Sequence, residues 1–198
     1  MSTTQAVEIE QHPWEPFLPS NAKLLLLGSF PPPRKRWSMD FYYPNITNDF
    51  WKIVGSIFFD DSFRFIIKSE KRFNLPQITD FLENRGIALY DVAAAVIRKE
   101  NNASDLHLHI VEPTDIKKLL SRIPHCRTIA VTGEKAAETL LAPFGADTPK
   151  IGCNVFIPSL AGGVTVWRMP STSRAYPLAL EKKAAYYRRL FEAAGITL

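Results

Sequence analysis

Four consecutive leucines, Leu24–Leu27, stand between Lys23 and Gly28, and the chain continues as Ser29-Phe30-Pro31-Pro32. A short apolar run that ends at a glycine is typical of a parallel strand buried on both faces. We therefore expect a central strand over Lys23–Gly28. It leads into a long loop, Gly28–Asn48, whose four prolines do not suit a helix interior. A loop of this length inside a compact domain is usually functional or disordered.

Strands and helices alternate along the rest of the chain. Apolar runs predict further strands at Ile87–Tyr90, Thr128–Thr132, Val155–Ile157 and Val164–Met169. Helical spacing predicts helices that begin at Asp49 and that span Leu75–Asn84, Pro113–Leu120, Glu134–Leu141 and Tyr176–Ala194. This alternation favours a three-layer α/β/α sandwich with a mainly parallel central sheet. We expect a single domain over residues 1–198, in which residues 1–21 form an extended N-terminal lead-in.

The composition excludes several classes of protein. Hydrophobic residues make up 46% of the chain and charged residues 22%, close to the globular average, so wholesale disorder is not expected. No apolar run approaches the roughly 20 residues of a membrane-spanning helix. The amino terminus lacks the basic and apolar regions of a secretory signal. We therefore expect a cytoplasmic enzyme or binding protein with no membrane partner.

Disulfide frameworks and metal sites are not indicated. Two cysteines, Cys126 and Cys153, are too few for a four-cysteine metal or iron–sulfur site. We expect both to be small buried residues. His107 and His109 have metal-like spacing, but no pattern of cysteines or carboxylates completes a ligand set, which favours a surface or strand position. We expect no metal and no cofactor.

The net charge of +4 is compatible with a nucleic-acid partner but does not require one. The distribution of the charge is more informative about a nucleic-acid partner, because the basic run Arg34-Lys35-Arg36 adjoins Trp37 and precedes the aromatic residues Phe41–Tyr43. Basic residues interleaved with aromatic ones can contact phosphates and stack on bases. A solvated loop charge is the alternative interpretation of this run.

Ligands of open α/β sheets bind beyond the carboxyl ends of the strands. Four segments occupy those ends in the predicted order: Gly28–Asn48, Tyr90–Asp91, Thr132–Glu134 and Pro170–Tyr176. Any chemistry of this fold is therefore expected in these four segments. Asp91 can either support such a site or cap a following helix.

Five motifs, in one order along the chain, resemble those of the uracil-DNA glycosylase superfamily. They are Leu27-Gly28-Ser29-Phe30-Pro31-Pro32, Tyr42-Tyr43-Pro44-Asn45-Ile46-Thr47-Asn48-Asp49-Phe50-Trp51-Lys52, Gly86-Ile87-Ala88-Leu89-Tyr90-Asp91-Val92, Val131-Thr132-Gly133-Glu134-Lys135-Ala136 and Met169-Pro170-Ser171-Thr172-Ser173. The resemblance spans Lys23 to about Phe191, and the most similar branch contains the hypoxanthine-DNA glycosylase-type and mismatch-specific enzymes. It implies an α/β sandwich that binds DNA and needs no cofactor.

The resemblance also implies a base-binding site at Ser29, Phe30, Tyr43 and Asn48. Tyr43 occupies the position of the aromatic ring that stacks on an extruded base. Phe30 occupies the position where many relatives carry an Asn or Asp that orients the attacking water, which a phenyl group cannot do. The hypoxanthine branch also lacks that polar residue and is thought to use the asparagine that corresponds to Asn48. Asn48 is therefore the implied catalytic residue.

The residues themselves leave other interpretations open for two of these positions. Tyr43 can simply pack within a surface loop. Asn48 can be the N-cap of the following helix, and it can cap the helix and contact a base at the same time.

A second DNA-contacting motif of the superfamily corresponds to Ser171-Thr172-Ser173-Arg174. This motif inserts where the nucleotide has left the stack and binds the flanking phosphates, for which short hydroxyl side chains and backbone amides are suited. Together with Arg34-Lys35-Arg36, these residues are the implied DNA contacts. Relatives usually carry proline at the position of Arg174. The same segment can instead cap the last helix.

The implied function is that of a monomeric DNA-repair glycosylase that hydrolyses the N-glycosidic bond of a deaminated base: hypoxanthine, uracil or a base of a mismatch. The nucleotide has to be extruded first, because the glycosidic carbon cannot be reached within the stack. A non-catalytic nucleic-acid-binding protein of the same fold is the alternative, since Phe30 replaces the water-orienting residue.

Overall fold

The computed structural model describes residues 8–98 and 108–198. Its strands are β1 Ile9–Gln11, β2 Leu24–Gly28, β3 Ile66–Ile67, β4 Arg72–Phe73, β5 Ile87–Asp91, β6 Ala93–Arg98, β7 Leu108–Pro113, β8 Thr128–Thr132, β9 Asn154–Ile157 and β10 Val164–Met169. Its α-helices are α1 Phe50–Phe59, α2 Leu75–Arg85, α3 Ile116–Ser121, α4 Glu134–Leu141 and α5 Leu180–Ala193. None of the helices formed by the described residues is long and apolar enough to cross a membrane.

Five strands form the main sheet in the order β5-β2-β8-β10-β9. β2 lies inside this sheet, parallel to β5 on one side and to β8 on the other, and β10 is parallel to β8. β9 is antiparallel to β10 and forms one edge. The predicted buried strand and the mainly parallel sheet are thus confirmed. Lys23, the first residue of the predicted strand, precedes β2 and is exposed.

Side chains along β2 pack into two separate hydrophobic clusters, because neighbouring residues of a strand point to opposite faces of the sheet. Leu24 and Leu26 belong to a cluster that includes residues of α1, α2 and α5. Leu25 and Leu27 belong to a cluster that includes residues of α3 and α4. All four leucines are at most 1% exposed. Burial on both faces explains why β2 is apolar at every position rather than at alternate ones.

A separate antiparallel sheet, β1-β6-β7, was not predicted. β1 lies in the segment expected to be an extended lead-in, and Phe17 of the same segment pairs with Leu89 in the main sheet. β1 has three residues, two of them exposed, and β6 begins in an alanine-rich run. Neither strand shows the alternation of hydrophobic and polar residues by which a strand is recognised.

Three helices begin later than predicted. α1 begins at Phe50, because Asp49 occupies its N-cap position. The other two, α3 and α5, begin later because prolines precede them. Pro113 ends β7, and Asp115 then caps α3 by accepting a hydrogen bond from the Lys118 amide at 3.0 Å. α5 begins at Leu180 instead of Tyr176. The helical backbone conformation is disfavoured for a residue that precedes a proline, and Pro177 follows Tyr176 directly.

Candidate functional site

A cleft of about 1060 Å³ opens at the carboxyl ends of the parallel strands. The last residues of four strands line it: Gly28 of β2, Asp91 of β5, Thr132 of β8 and Met169 of β10. Each of the four strand-end segments identified in the sequence contributes to the lining. Parallel pairing explains this convergence, because it brings the ends of strands that are distant in sequence to one edge of the sheet.

Gly28 forms part of the cleft floor. A Cβ atom at this position would overlap Asp91 Oδ1 and would lie 3.8 Å from Thr132 Oγ1. Glycine is therefore needed for steric reasons, since it lets the Asp91 carboxylate approach the end of β2. Ser29 follows, is 6% exposed and also lines the cleft.

Tyr43 presents an aromatic ring to this cleft. Its ring stacks on Phe50, with the centroids 3.9 Å apart and the planes at 18°. Tyr43 is one of the residues that line the cleft, whereas Phe50 is not. The Tyr43 hydroxyl lies 3.4 Å from Thr132 Oγ1. Burial raises the pKa of Tyr43 well above its usual value, which keeps the phenol neutral.

Asn48 lines the same cleft at the start of α1. Its Oδ1 atom accepts a hydrogen bond from the Phe50 amide at 2.8 Å. This hydrogen bond fixes which end of the side-chain amide is the oxygen, because only the oxygen can accept a hydrogen bond. The Nδ2 group makes no hydrogen bond with any residue of the described ranges. The interpretation of Asn48 as the N-cap is wrong, because Asp49 occupies the N-cap position of α1. The Asn48 oxygen nevertheless holds the first amide of the helix, and its nitrogen is available as a donor.

Phe30 forms an apolar wall of the cleft. Phe30 is one of the residues that line the cleft, and its side chain packs against a small cluster of Ala93, Val96 and Leu108. The ring meets His12 edge-on, with the centroids 5.5 Å apart. The side chain that follows Ser29 at the cleft therefore offers no polar atom to a water molecule.

The basic run Arg34-Lys35-Arg36 forms one exposed turn of 3₁₀ helix. Arg36 lines the cleft, whereas Arg34 and Lys35 lie outside the lining. Trp37 anchors the turn, because its Nε1 donates to the Pro32 carbonyl at 2.7 Å and its ring lies 5.5 Å from the Arg34 guanidinium carbon. The run is thus an accessible set of cations next to the cleft.

The segment Ser171–Arg174 contributes three residues to the cleft lining: Ser171, Thr172 and Ser173. Arg174 is exposed and lies outside the lining. The two serine hydroxyls accept hydrogen bonds from backbone amides two residues further on, at 3.2 and 3.3 Å, and so stabilise turns of the loop. The interpretation of this segment as a helix cap is wrong, because α5 begins only at Leu180, with Ala179 at the cap position.

A buried ion pair ties this loop to the start of α1, and the sequence analysis missed it. Lys183 of α5 is 0% exposed, and its Nζ donates to Asp49 Oδ2 at 2.8 Å and to the Ser173 carbonyl at 2.9 Å. The Asp49 amide donates to the Thr172 carbonyl at 2.9 Å. A signal was present, since Lys183 stands four residues before Tyr187 and thus on the buried face of α5.

His12 and Asp91 form a second buried pair. The His12 Nε2 atom lies 3.0 Å from Asp91 Oδ2, and the two side chains are 3% and 11% exposed. No helix follows Asp91, because β6 begins at Ala93, so the capping interpretation of Asp91 is wrong and the residue supports the cleft. Nothing in the local sequence points to His12, whose partner is 79 residues away.

The two cysteines differ in environment. Cys126 is buried, and its burial raises the pKa of the thiol to about 11. Cys153 is exposed just before β9, which contradicts the expectation that both are buried. His109 is exposed in β7, and His107 lies outside the described residues. In the described ranges, no three or more His, Cys, Asp or Glu side chains are grouped as metal ligands would be.

Two archaeal proteins resemble this chain over most of their length. Hypoxanthine DNA glycosylase of Methanosarcina barkeri is 28% identical over 138 residues, which is 67% of this chain and 78% of the relative. The protein of the same name from Methanosarcina acetivorans is 30% identical over 133 residues, which is 66% of this chain and 77% of the relative. No protein-family profile matches the chain.

A solved structure agrees with these sequence relatives. The solution NMR structure of a Methanosarcina acetivorans protein, provisionally described as a uracil DNA glycosylase, matches with a TM-score of 0.58 at 25% sequence identity. The match covers 92% of this chain and 99% of the other. On the evidence of both sequence and fold, the chain belongs to the hypoxanthine DNA glycosylase branch of the uracil-DNA glycosylase superfamily.

Proposed function

We propose that this protein is a monofunctional DNA glycosylase that hydrolyses the N-glycosidic bond of a deaminated base. Hypoxanthine is the first candidate because two relatives carry it in their names, and uracil or a mismatched base are the others. The observation that carries the proposal is the presence of an aromatic ring, Tyr43, and an available amide donor, Asn48, in one cleft at the strand ends.

The target nucleotide is extruded from the duplex into this cleft, since its glycosidic carbon is otherwise out of reach. Tyr43 stacks on the base with the ring face that Phe50 leaves uncovered, an interaction worth about 1–3 kcal/mol. Phe30 and Ser29 complete the base site as an apolar wall and a part of the floor. The support for this arrangement is that all three residues line the cleft.

Asn48 acts on the departing base. Negative charge develops on the base as the glycosidic bond breaks, and a fixed donor aimed at that charge lowers the barrier. The Nδ2 group suits this role because the Phe50 amide holds the side-chain oxygen at 2.8 Å and leaves the nitrogen available. Removal of one such donor typically lowers the rate about 10²–10³-fold.

Phosphate contacts complete the DNA-binding surface. We assign them to Arg34-Lys35-Arg36 and to Ser171-Thr172-Ser173-Arg174, which are exposed near or line the cleft. Cations release counterions from DNA, and hydroxyl and amide groups donate to phosphate oxygens.

Several broader features belong to the same proposal. They are a three-layer α/β/α arrangement, a single domain over residues 1–198, a monomeric state, a cytoplasmic location and the absence of a cofactor. The packing of alternate leucines of β2 against two helix clusters supports the layered arrangement.

Oligonucleotide cleavage tests the activity. The protein is incubated with duplexes that carry hypoxanthine, uracil, xanthine or a G:T mismatch, and alkali then reveals abasic sites. In Asn48→Ala the single-turnover rate should fall about 10²–10³-fold, while DNA affinity changes little. Loss of the hydrogen bond from the Phe50 amide should cost about 0.5–1.5 kcal/mol of stability in the same variant.

Asn74→Ala is the matched control. Asn74 caps α2 by accepting a hydrogen bond from the Gln77 amide at 3.3 Å, and it lies outside the cleft lining. The same substitution there should lower stability to a similar degree and leave the excision rate unchanged. Equal loss of rate in both variants would limit the role of Asn48 to stabilising the start of α1.

A non-catalytic nucleic-acid-binding protein is the second candidate function, and the apolar side chain of Phe30 favours it. DNA binding without cleavage of any of the four substrates would establish this alternative in place of the glycosylase.

A further inference from the structure

We propose that Asp91 is a second catalytic residue, which orients the attacking water and accepts its proton, and that His12 is the positioning residue that holds it. The inference rests on the glycosylase activity proposed above. It names the group that acts on the water, a role that the apolar side chain of Phe30 cannot fill.

His12 holds one oxygen of the Asp91 carboxylate. Its Nε2 atom lies 3.0 Å from Asp91 Oδ2, and its Nδ1 atom lies 2.9 Å from the Trp14 carbonyl oxygen and 3.2 Å from the Trp14 amide nitrogen. A carboxylate only accepts hydrogen bonds, so Nε2 carries the proton of this contact. This holds whether the ring is neutral, with Nδ1 accepting from the Trp14 amide, or protonated. The Asp91 side chain is thereby held in one orientation.

The other oxygen, Oδ1, faces the floor of the cleft. Asp91 pairs with Gly28 at the ends of β5 and β2 and lines the cleft. Oδ1 approaches Gly28 so closely that a Cβ atom there would overlap it. No hydrogen-bond donor among residues 8–98 and 108–198 reaches this oxygen. Oδ1 is not fully buried and so keeps contact with solvent, and a water molecule is therefore its expected partner.

The other polar groups of the cleft are less suited to this task. Glu134 pairs with Arg168 at 3.3 Å, and its side chain is 69% exposed. Glu138 is exposed as well. The Asn48 oxygen already accepts from the Phe50 amide. Among the described residues that line the cleft, Asp91 is therefore the carboxylate that is best placed to act on a water molecule at the floor.

The proposed step consumes one water molecule. The bond between C1′ and the base nitrogen breaks, and both electrons leave with the base, which becomes an anion stabilised by Asn48 Nδ2. The water oxygen forms the new bond to C1′ and gives one proton to Asp91 Oδ1. The base then takes a proton from solvent, and Asp91 returns its proton to solvent. The products are a neutral base and an abasic sugar with a 1′-hydroxyl group.

Single-turnover excision with enzyme in excess separates this step from binding. Asp91→Asn keeps an acceptor for His12 but removes the charge that takes the proton, so the rate should fall about 10²–10⁴-fold. The Kd for a duplex with a non-cleavable, 2′-fluorinated form of the same nucleotide should stay unchanged, because the interaction acts in the transition state. Formate should partly restore excision by Asp91→Ala, which a purely structural role of Asp91 would not produce.

Two substitutions of His12 test the positioning role. His12→Phe removes the donor and keeps a ring among the surrounding aromatic side chains, such as Tyr90 with its centroid 4.6 Å away. Its rate should fall about 10–100-fold, as when a supporting hydrogen-bond partner is removed. His12→Gln should recover most of the rate, since its Nε2 group can donate to Asp91.

The outcomes distinguish this inference from the proposed function. If wild-type protein excises a base and Asp91→Asn excises it equally fast, the inference is wrong and the proposed function stands. Weaker binding of Asp91→Asn with an unchanged rate would place Asp91 on the base and overturn its role with water. If wild-type protein cleaves none of the four substrates, the proposed function fails and the inference with it.

Discussion

Replacement of Lys183 by methionine removes a buried ammonium group and leaves most of the apolar part of the side chain. The Lys183 Nζ atom donates at 2.8 Å to Asp49 Oδ2 and at 2.9 Å to the Ser173 carbonyl. The Asp49 side chain is 15% exposed, so without its cation the carboxylate would remain largely out of water. Loss of one partner of a buried ion pair costs about 3–5 kcal/mol. We expect Lys183→Met to lower the free energy of unfolding by this amount.

Urea unfolding followed by tryptophan fluorescence measures this loss. In a domain of this size each kcal/mol corresponds to about 2–4 °C in Tm, so Tm should fall by about 6–20 °C. Lys182→Met is the matched control, because Lys182 is exposed on the same helix, and it should change the free energy by less than about 0.5 kcal/mol. The double variant Lys183→Met/Asp49→Asn should recover part of the loss, since it leaves no unpaired charge.

Two results would refute this reasoning. A loss below about 1 kcal/mol in Lys183→Met is typical of a solvent-screened surface pair and would contradict the burial of this one. A double variant that is less stable than Lys183→Met would show that the charge left on Asp49 is not the source of the loss.

Chemical modification and salt dependence check two other parts of the structure. Cys153 should react with a disulfide reagent in native protein at pH 8, because its side chain is exposed. Cys126 should react only after unfolding, because it is buried and the pKa of its thiol is raised to about 11. Two rapidly reacting thiols in native protein would contradict this. Replacement of Arg34, Lys35 and Arg36 by alanine should flatten the slope of log affinity against log salt concentration for duplex DNA. The expected change is about 0.9 for each phosphate that the protein no longer neutralises. An unchanged slope would show that these residues are a solvated loop charge without phosphate contacts.

Local sequence was sufficient to predict the elements of the main sheet. β8 and β10 have the predicted bounds, and α4 begins and ends at the predicted residues. Strands buried on both faces leave a continuous apolar run, and a glycine or proline marks where such a run ends. The antiparallel sheet could not be predicted in this way, because β1 and β6 gain their stability from pairing with each other across the fold.

The cleft was predictable in outline for a related reason. Parallel strands have their carboxyl ends at one edge, so Gly28, Asp91 and Thr132 could be expected near each other once the strands were identified. Phe30 and Tyr43 are among the residues that line the cleft. Their roles in binding a base stay predictions until excision is measured.

Sequence by itself thus determined the buried parallel strands, the cleft at their carboxyl ends and the family. Each strand and each motif is a short local run of residues, and the order of these runs along the chain predicts the edge of the sheet where the cleft lies and the family resemblance. Tertiary structure alone decided which polar groups are buried together. His12 reaches Asp91 across 79 residues, and Lys183 reaches Asp49 across 134. A buried charged or polar group needs a partner, but no local pattern specifies which distant residue supplies it. Only the packing of the lead-in and of α5 against the main sheet brings these partners within hydrogen-bond distance.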